Sequence, residues 1–207
     1  VQLAFFTATF SVMGYLAKAD GQVSKSEIQM AQSIMSQMNL NPEQRKATIE
    51  LFNKGKQDNF ELDAILLQFK QECHRRTNLL QMFLEILIAT AFADNSFDKA
   101  EHAALQHIAT SIGFNAQQLD HLISMVTAQQ QSHSSTAQPS IDNAYAVLGV
   151  EKDISDADLK KAYRRLMSQH HPDKLVSKGL PEEMIKLANE KTTEIKSAYE
   201  QIKNSRK

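Results

Sequence analysis

The sequence predicts an all-α protein made of two helical domains. Along the first 129 residues, apolar side chains recur three and four positions apart, which is the period of an amphipathic helix. No stretch of this region shows the sustained alternation of apolar and polar residues that is typical of a half-buried strand. The whole chain of 207 residues contains six glycines and four prolines, so few positions interrupt the helical pattern.

Seven helices are predicted in the N-terminal region. Their apolar stripes place them at residues 3–17, 28–38, 42–53, 62–73, 78–93, 99–112 and 116–128. The helix at 78–93 is the most apolar, with leucine, isoleucine and phenylalanine on more than one face. A helix of this kind is typical of the buried centre of a bundle.

An internal repeat supports the bundle, because residues 17–27 align with residues 91–101. Both segments contain the end of an apolar helix, an Asp-Gly or Asp-Asn turn, and the start of the next helix. In each copy the next helix begins with a capping box, Ser24-x-x-Glu27 or Asp98-x-x-Glu101. We therefore predict two helix pairs related by duplication.

The acidic residues of these two turns also raise the alternative of a cation site. The candidate ligands are Asp20, Glu27, Asp94, Asp98 and Glu101. Calcium takes about six or more oxygen ligands, and an EF-hand loop supplies several acidic ones within a dozen residues. The two turns are shorter and poorer in carboxylates than such a loop. We therefore favour helix capping and predict no metal and no cofactor.

Residues 129–139 are polar and show no apolar period. Such a composition is typical of a flexible linker. The linker divides the chain into an N-terminal domain at 1–128 and a C-terminal domain at 140–207. Because the segment is long enough to separate the domains, they need not dock on each other.

The C-terminal domain contains a helix that starts near Ser155 and has two distinct faces. Its apolar face carries Leu159, Ala162, Tyr163, Leu166 and His170, and its opposite face carries Lys160, Lys161, Arg164 and Arg165. Pro172 cannot continue this helix and moves His171 out of the helical conformation, which predicts a turn at His171-Pro172-Asp173. A second amphipathic helix is predicted after Pro181. The two helices would form an antiparallel hairpin with the turn displayed at one end.

Four segments of this domain resemble the J domain of DnaJ-type co-chaperones. They are residues 142–150, 159–166, 171–174 and 194–200, in the same order and spacing as in that family. The repeat in the N-terminal region is similar to the helical domain of TerB-like tellurite-resistance proteins. A TerB-like domain, a linker and a C-terminal J domain together resemble the DjlA family of DnaJ-like membrane co-chaperones.

The resemblance implies a regulatory co-chaperone whose J domain binds a DnaK-type chaperone and stimulates its ATP hydrolysis. It assigns activation to Asp173, with His171 and Pro172 forming the turn. It also implies that Lys160, Lys161, Arg164 and Arg165 contact an acidic surface of the partner. The N-terminal domain would provide targeting or partner specificity. The sequence does not identify the partner of this domain, and it leaves open whether the protein forms a homodimer.

The same resemblance implies a location at the cytoplasmic face of the bacterial inner membrane and a link to stress response. Members of the family carry an N-terminal membrane-spanning segment, so the resemblance implies a membrane anchor that has been left off this chain. The first sixteen residues are shorter than the roughly 20 apolar residues that cross a bilayer, so we expect the chain itself to be soluble.

Other functional classes find little support in the sequence. The histidines are scattered, and there is no His-Glu-x-x-His motif, Gly-rich phosphate loop or nucleophile elbow, so we predict no enzymatic activity. The net charge of −1 gives no reason to expect a nucleic-acid partner. The remaining alternative is an ion-sensing or protein-interaction scaffold in which the TerB-like domain carries the main activity.

Overall fold

The computed structural model describes residues 1–19, 21, 23–38, 40–93, 98–134 and 140–207, with residues 133 and 134 described by their backbone alone. The described residues form α-helices, one short 3-10 helix and no strand, which confirms the all-α prediction. The helices are α1 Gln2–Ala17, α2 Lys25–Gln37, α3 Pro42–Gly55, α4 Leu62–Glu72, α5 Thr77–Ala91, α6 Lys99–Ile112, α7 Ala116–Ser134, α8 Ile141–Leu148, α9 Asp156–His170, α10 Pro172–Lys178 and α11 Ile185–Ser205.

Helix α5 lies at the centre of the N-terminal bundle, as its apolar composition predicts. Phe83 and Leu87 on this helix are fully buried, and so are Phe5 of α1 and Phe69 of α4. The Phe69 ring lies 4.6 Å from Phe83 and 5.8 Å from Phe5, measured between ring centroids. These aromatic contacts join α1, α4 and α5 into one core.

Helices α1 and α3 cross so closely that their backbones are in contact, and two glycines allow this approach. A Cβ atom at Gly14 would lie 2.0 Å from the carbonyl oxygen of Phe52. A Cβ atom at Gly55 would lie 1.8 Å from the carbonyl oxygen of Ser11. Any side chain at either position would therefore push the two helices apart.

Both capping boxes predicted from the repeat are present. The backbone N–H of Ser24 donates to Glu27 Oε2 at 2.8 Å, and the N–H of Glu27 donates to Ser24 Oγ at 3.1 Å. At the start of α6, the N–H of Asp98 donates to Glu101 Oε2 at 3.1 Å. These bonds satisfy backbone donors that the first helical turn leaves without partners.

Helix α7 extends further than predicted, because residues 129–134 of the predicted linker are helical. Two polar side chains in this extension have specific partners. Gln129 is buried and accepts a hydrogen bond from Lys191 Nζ, and Gln130 Nε2 donates to the Ala89 carbonyl at 2.7 Å. From composition alone, glutamines in such a segment are expected to be exposed to solvent. In the structure they form hydrogen bonds with polar groups of other helices. Residues 135–139 of the predicted linker lie outside the described residues.

The C-terminal domain packs α8, α9 and α11 around a second apolar core. Leu159 and Leu166 of α9 face Ile195 and Ile202 of α11 in this core. Arg206, just after α11, bonds Asp156 at the start of α9 at 2.6 Å, so the two long helices run antiparallel as predicted. The rings of Tyr163 and Tyr199 stack between them with centroids 4.2 Å apart.

The connection between α9 and α11 differs from the predicted loop. Pro172 begins the additional helix α10, because proline suits the first position of a helix. Pro181 precedes the short 3-10 helix Glu182–Met184 rather than the long helix, which starts at Ile185.

The two domains dock on each other. Leu175, Leu180, Met184 and Ala188 of the C-terminal domain are fully buried in the apolar core of the N-terminal bundle. This arrangement differs from the expectation that the domains need not dock. Among the described helices, none is both long and apolar enough to cross a membrane.

Candidate functional site

The His-Pro-Asp turn is displayed at the junction of α9 and α10. Helix α9 ends at His170, and His171 is extended with φ −60° and ψ 124°. The side chains of His171 and Asp173 are exposed, while Pro172 is partly buried. Within the described part of the chain, the Asp173 carboxylate has no hydrogen-bond or ion-pair partner. It is therefore free to bind a group from another molecule.

The basic face of α9 is also exposed. Lys160, Lys161, Arg164 and Arg165 point to solvent, and none of the four forms an ion pair with another described residue. Four like charges on adjacent turns repel one another weakly. A partner surface that carries carboxylates would relieve this repulsion.

The structure brings the basic face and the His-Pro-Asp turn together. Ser168 follows Arg164 by four residues and Arg165 by three, so all three lie on the same side of α9. Lys174, next to Asp173, donates from Nζ to Ser168 Oγ at 2.6 Å. The predicted partner-binding residues therefore form one continuous surface.

His170 lies on the core-facing side of α9, as predicted, and is 2% exposed. Its Nδ1 lies 3.0 Å from the Leu166 carbonyl, and its Nε2 lies 3.0 Å from both carboxylate oxygens of Glu85 on α5. Lys191 Nζ of α11 lies 3.0 Å from Glu85 Oε2. One buried carboxylate thus contacts both long helices of the C-terminal domain.

The environment of Glu85 lowers the pKa of its carboxyl group. Burial by itself would raise this pKa, but the charges of His170 and Lys191 and the hydrogen bonds from His170 and Gln81 outweigh burial. Glu85 is 4% exposed and ionised at neutral pH. Glu85 belongs to none of the predicted site motifs, although it is the one ionisable residue between Thr77 and Ala93. A charge in the most apolar helix is itself a signal, since buried charges are almost always paired.

The described members of the candidate cation site serve as helix caps. Glu27 and Glu101 are buried and accept hydrogen bonds from the backbone of Ser24 and Asp98. Asp98 accepts hydrogen bonds from the N–H groups of Ala100 and Glu101. Across the described ranges, no three His, Cys, Asp or Glu residues are grouped so that they could hold a metal ion. Asp20 and Asp94 lie outside the described residues.

Comparison with known proteins assigns both halves of the chain. The family model described as tellurite resistance protein TerB matches residues 6–123, and the model described as DnaJ domain matches residues 143–207. The co-chaperone protein DjlA of Shewanella oneidensis is 44% identical over 204 residues, which cover 98% of this chain and 78% of the relative. The chain belongs to the DjlA family of co-chaperone proteins.

Other members of the DjlA family show the same extent of similarity. The protein from Coxiella burnetii is 44% identical over 213 residues, covering 100% of this chain and 79% of the relative. The protein from Vibrio cholerae is 43% identical over 224 residues, covering 99% of this chain and 79% of the relative. No solved structure was found to match. The chain is thus a co-chaperone with a TerB-like domain followed by a J domain, as the sequence predicts.

Proposed function

We propose that the J domain of this chain binds the ATPase domain of a DnaK-type chaperone and stimulates its ATP hydrolysis. Family membership supports the proposal at the level of a co-chaperone role. The observation that carries it further is the position of Asp173. Its carboxylate is exposed and without a partner among the described residues, next to the exposed basic face of α9.

The two parts of this surface act at different steps. Charges on Lys160, Lys161, Arg164 and Arg165 attract an acidic surface over a distance of about 10 Å, which raises the association rate and orients the complex. Asp173 then competes for hydrogen bonds inside the partner. A chaperone whose hydrolysing conformation binds this carboxylate more tightly is shifted toward that conformation.

The N-terminal domain, in the same proposal, provides targeting or partner specificity. In the full-length protein, a membrane segment outside this chain would hold both domains at the cytoplasmic face of the inner membrane. The alternative of an ion-sensing scaffold has less support, because Glu27 and Glu101 already cap helices.

The substitution Asp173→Asn tests the proposal. It keeps the size of the side chain and removes its charge, and we expect it to abolish stimulation of a DnaK-type ATPase in steady-state hydrolysis assays. The helical circular-dichroism spectrum should not change, because the carboxylate forms no hydrogen bond or ion pair with another described residue. Asp153→Asn is the matched control, since it removes one exposed carboxylate from the same domain. Full stimulation by the Asp173→Asn chain would contradict the mechanism.

A further inference from the structure

The residue immediately before the His-Pro-Asp turn is anchored in the other domain. His170 ends α9, and its buried ring reaches Glu85 of α5 at 3.0 Å. Its second nitrogen faces the Leu166 carbonyl, so both ring nitrogens point at oxygen acceptors. The acceptor in the contact with Glu85 is an ionised carboxylate, and such a hydrogen bond is stronger than one between neutral groups.

A second residue of α5 binds the chain on both sides of the turn. Asn78 precedes Glu85 by seven residues, two helical turns, and therefore lies on the same face of α5. Its Nδ2 donates to the Gln169 carbonyl at 2.9 Å, and its Oδ1 accepts from Lys178 Nζ at 3.1 Å. Gln169 lies in the last turn of α9, where carbonyl groups lack helical partners. Lys178 is the last residue of α10.

The turn is thus held at both ends while its functional side chains stay exposed. On one side are the anchors at Gln169 and His170, and on the other is Leu175, which is 0% exposed in the core of the N-terminal bundle. The exposed residues His171 and Asp173 lie between these anchors. A binding group that is fixed before the encounter loses less conformational entropy when it binds.

We propose that Asn78 and Glu85 are positioning residues for the His-Pro-Asp turn, so that the TerB-like domain fixes the orientation in which Asp173 meets the chaperone. The inference rests on the proposed function. It adds that the N-terminal domain contributes directly to stimulation, through α5, and not through targeting alone. Neither residue contacts the chaperone in this proposal, since both act through the ends of α9 and α10.

The first experiment measures the turn in the absence of any chaperone. Hydrogen exchange of the α10 amides is compared in the wild-type chain, Glu85→Gln and Asn78→Ala. We expect faster exchange in both variants, because each loses a bond that holds one end of the turn. Glu61→Gln, which removes an exposed carboxylate at the start of α4, is the control and should exchange as wild type. Unchanged exchange in both variants would overturn the positioning role, whatever the chaperone does.

The second experiment measures stimulation of a DnaK-type ATPase as a function of co-chaperone concentration. Because the basic face is intact, the half-maximal concentration should change by less than about twofold in either variant. Maximal stimulation should fall about fivefold or more, because Asp173 is no longer held in position. An unchanged or higher maximum would overturn the proposal. Asn78→Ala adds no unpaired buried charge, so it serves as the second variant if Glu85→Gln unfolds.

A double-mutant cycle separates a direct contact from general loosening of the domain. If Glu85 acts through His170, the variant Glu85→Gln/His170→Gln should stimulate no less than His170→Gln alone. If the losses of stimulation from the two substitutions were additive, Glu85 would not act through His170. A wild-type chain that fails to stimulate would overturn the proposed function instead, and the exchange experiment would then decide the positioning role by itself.

Discussion

Glu85 shows how a single buried charge joins the two domains. A carboxylate in an apolar core is costly unless opposite charges and hydrogen bonds surround it. His170 of α9 and Lys191 of α11 provide the charges, and Gln81 donates a further hydrogen bond at 2.9 Å. Removal of the carboxylate would leave buried cationic groups without compensation. The network therefore favours the docked arrangement of the two domains over any in which these groups separate.

The stability that this network contributes should depend on pH in the acid range. The pKa of Glu85 is lower in the folded chain than in the unfolded chain, so the unfolded state binds the proton more tightly. The contribution is present above the unfolded pKa of about 4.3 and is lost as the pH falls below it. We expect Glu85→Gln to lower the free energy of unfolding at pH 7 by about 3 kcal/mol. The difference from wild type should shrink below about pH 4.

Urea unfolding of both proteins at pH 7, 5 and 3.5, followed by circular dichroism, measures this difference. His170 and Lys191 are the charged groups that face Glu85 from α9 and α11. The variant His170→Gln should therefore show part of the same decrease in the free energy of unfolding at pH 7. A difference between wild type and Glu85→Gln that stays constant down to pH 3.5 would show that Glu85 is not the group that titrates.

The residues of the site differ in how far the sequence predicts them. His171, Pro172 and Asp173 follow from a contiguous motif, and the core-facing position of His170 follows from helical period. Glu85 precedes His170 by 85 residues, and nothing local to either residue indicates that they meet. Sequence patterns report the environment of a side chain within its own helix. They do not report which residue of another domain completes that environment.

At the scale of elements, α9 is divided into two faces that serve two purposes. Leu159, Ala162 and Leu166 are buried and hold the hairpin together, while the basic side chains lie on the opposite face. This division was predictable because it depends on the helical period alone. Helix α10 was not predicted, since Pro172 ends one helix and also begins the next. Both roles of proline follow from its fixed φ angle and missing N–H. In the structure Pro172 begins a new helix, and Leu175 of that helix is fully buried.

The basic face should control affinity without controlling maximal stimulation. Neutralising Lys161 and Arg165 with glutamine removes two charges one turn apart on this face. We expect the half-maximal concentration of the chain in the ATPase assay to rise roughly tenfold at low salt, with the same maximum. The effect should diminish as ionic strength rises, because screening already weakens the attraction in wild type.

A matched control comes from α11. Lys196 and Lys203 are exposed, and replacing both with glutamine removes the same net charge from the same domain. This control should leave the half-maximal concentration close to that of wild type. If it weakened binding as much as the α9 variant, net charge rather than the position of the charges would account for the interaction.

At the scale of the whole molecule, the two domains share one apolar core. Four apolar residues of the J domain are buried among side chains of the N-terminal bundle. They are Leu175, Leu180, Met184 and Ala188. The order of the domains was predictable from their motifs. Their docking was not, because Leu175 and Leu180 lie in a short connection whose apolar residues have no long helical period. Only the fold shows that a surface of the bundle is available to receive them.

A shared core predicts that the domains unfold together, and two natural probes can test this. Cys73 is the single cysteine and is 0% exposed in the N-terminal bundle, where burial raises the pKa of its thiol to about 11. Its alkylation at pH 8 therefore requires opening of that bundle. Three of the four tyrosines, Tyr145, Tyr163 and Tyr199, belong to the J domain, and their near-ultraviolet signal reports its packing. Urea midpoints from the two probes should coincide in wild type.

The substitution Leu175→Ala makes the test decisive. Leu175 is part of the J domain in the sequence, but its fully buried side chain packs in the core of the N-terminal bundle. The lost burial and the cavity together should cost about 2–5 kcal/mol. Both midpoints should fall by the same amount if folding of the bundle depends on the docked J domain. Leu67→Ala, at an exposed leucine of α4, should move neither midpoint. A fall in the tyrosine midpoint with an unchanged Cys73 midpoint would show that the TerB-like domain folds independently, and that docking adds nothing to its stability.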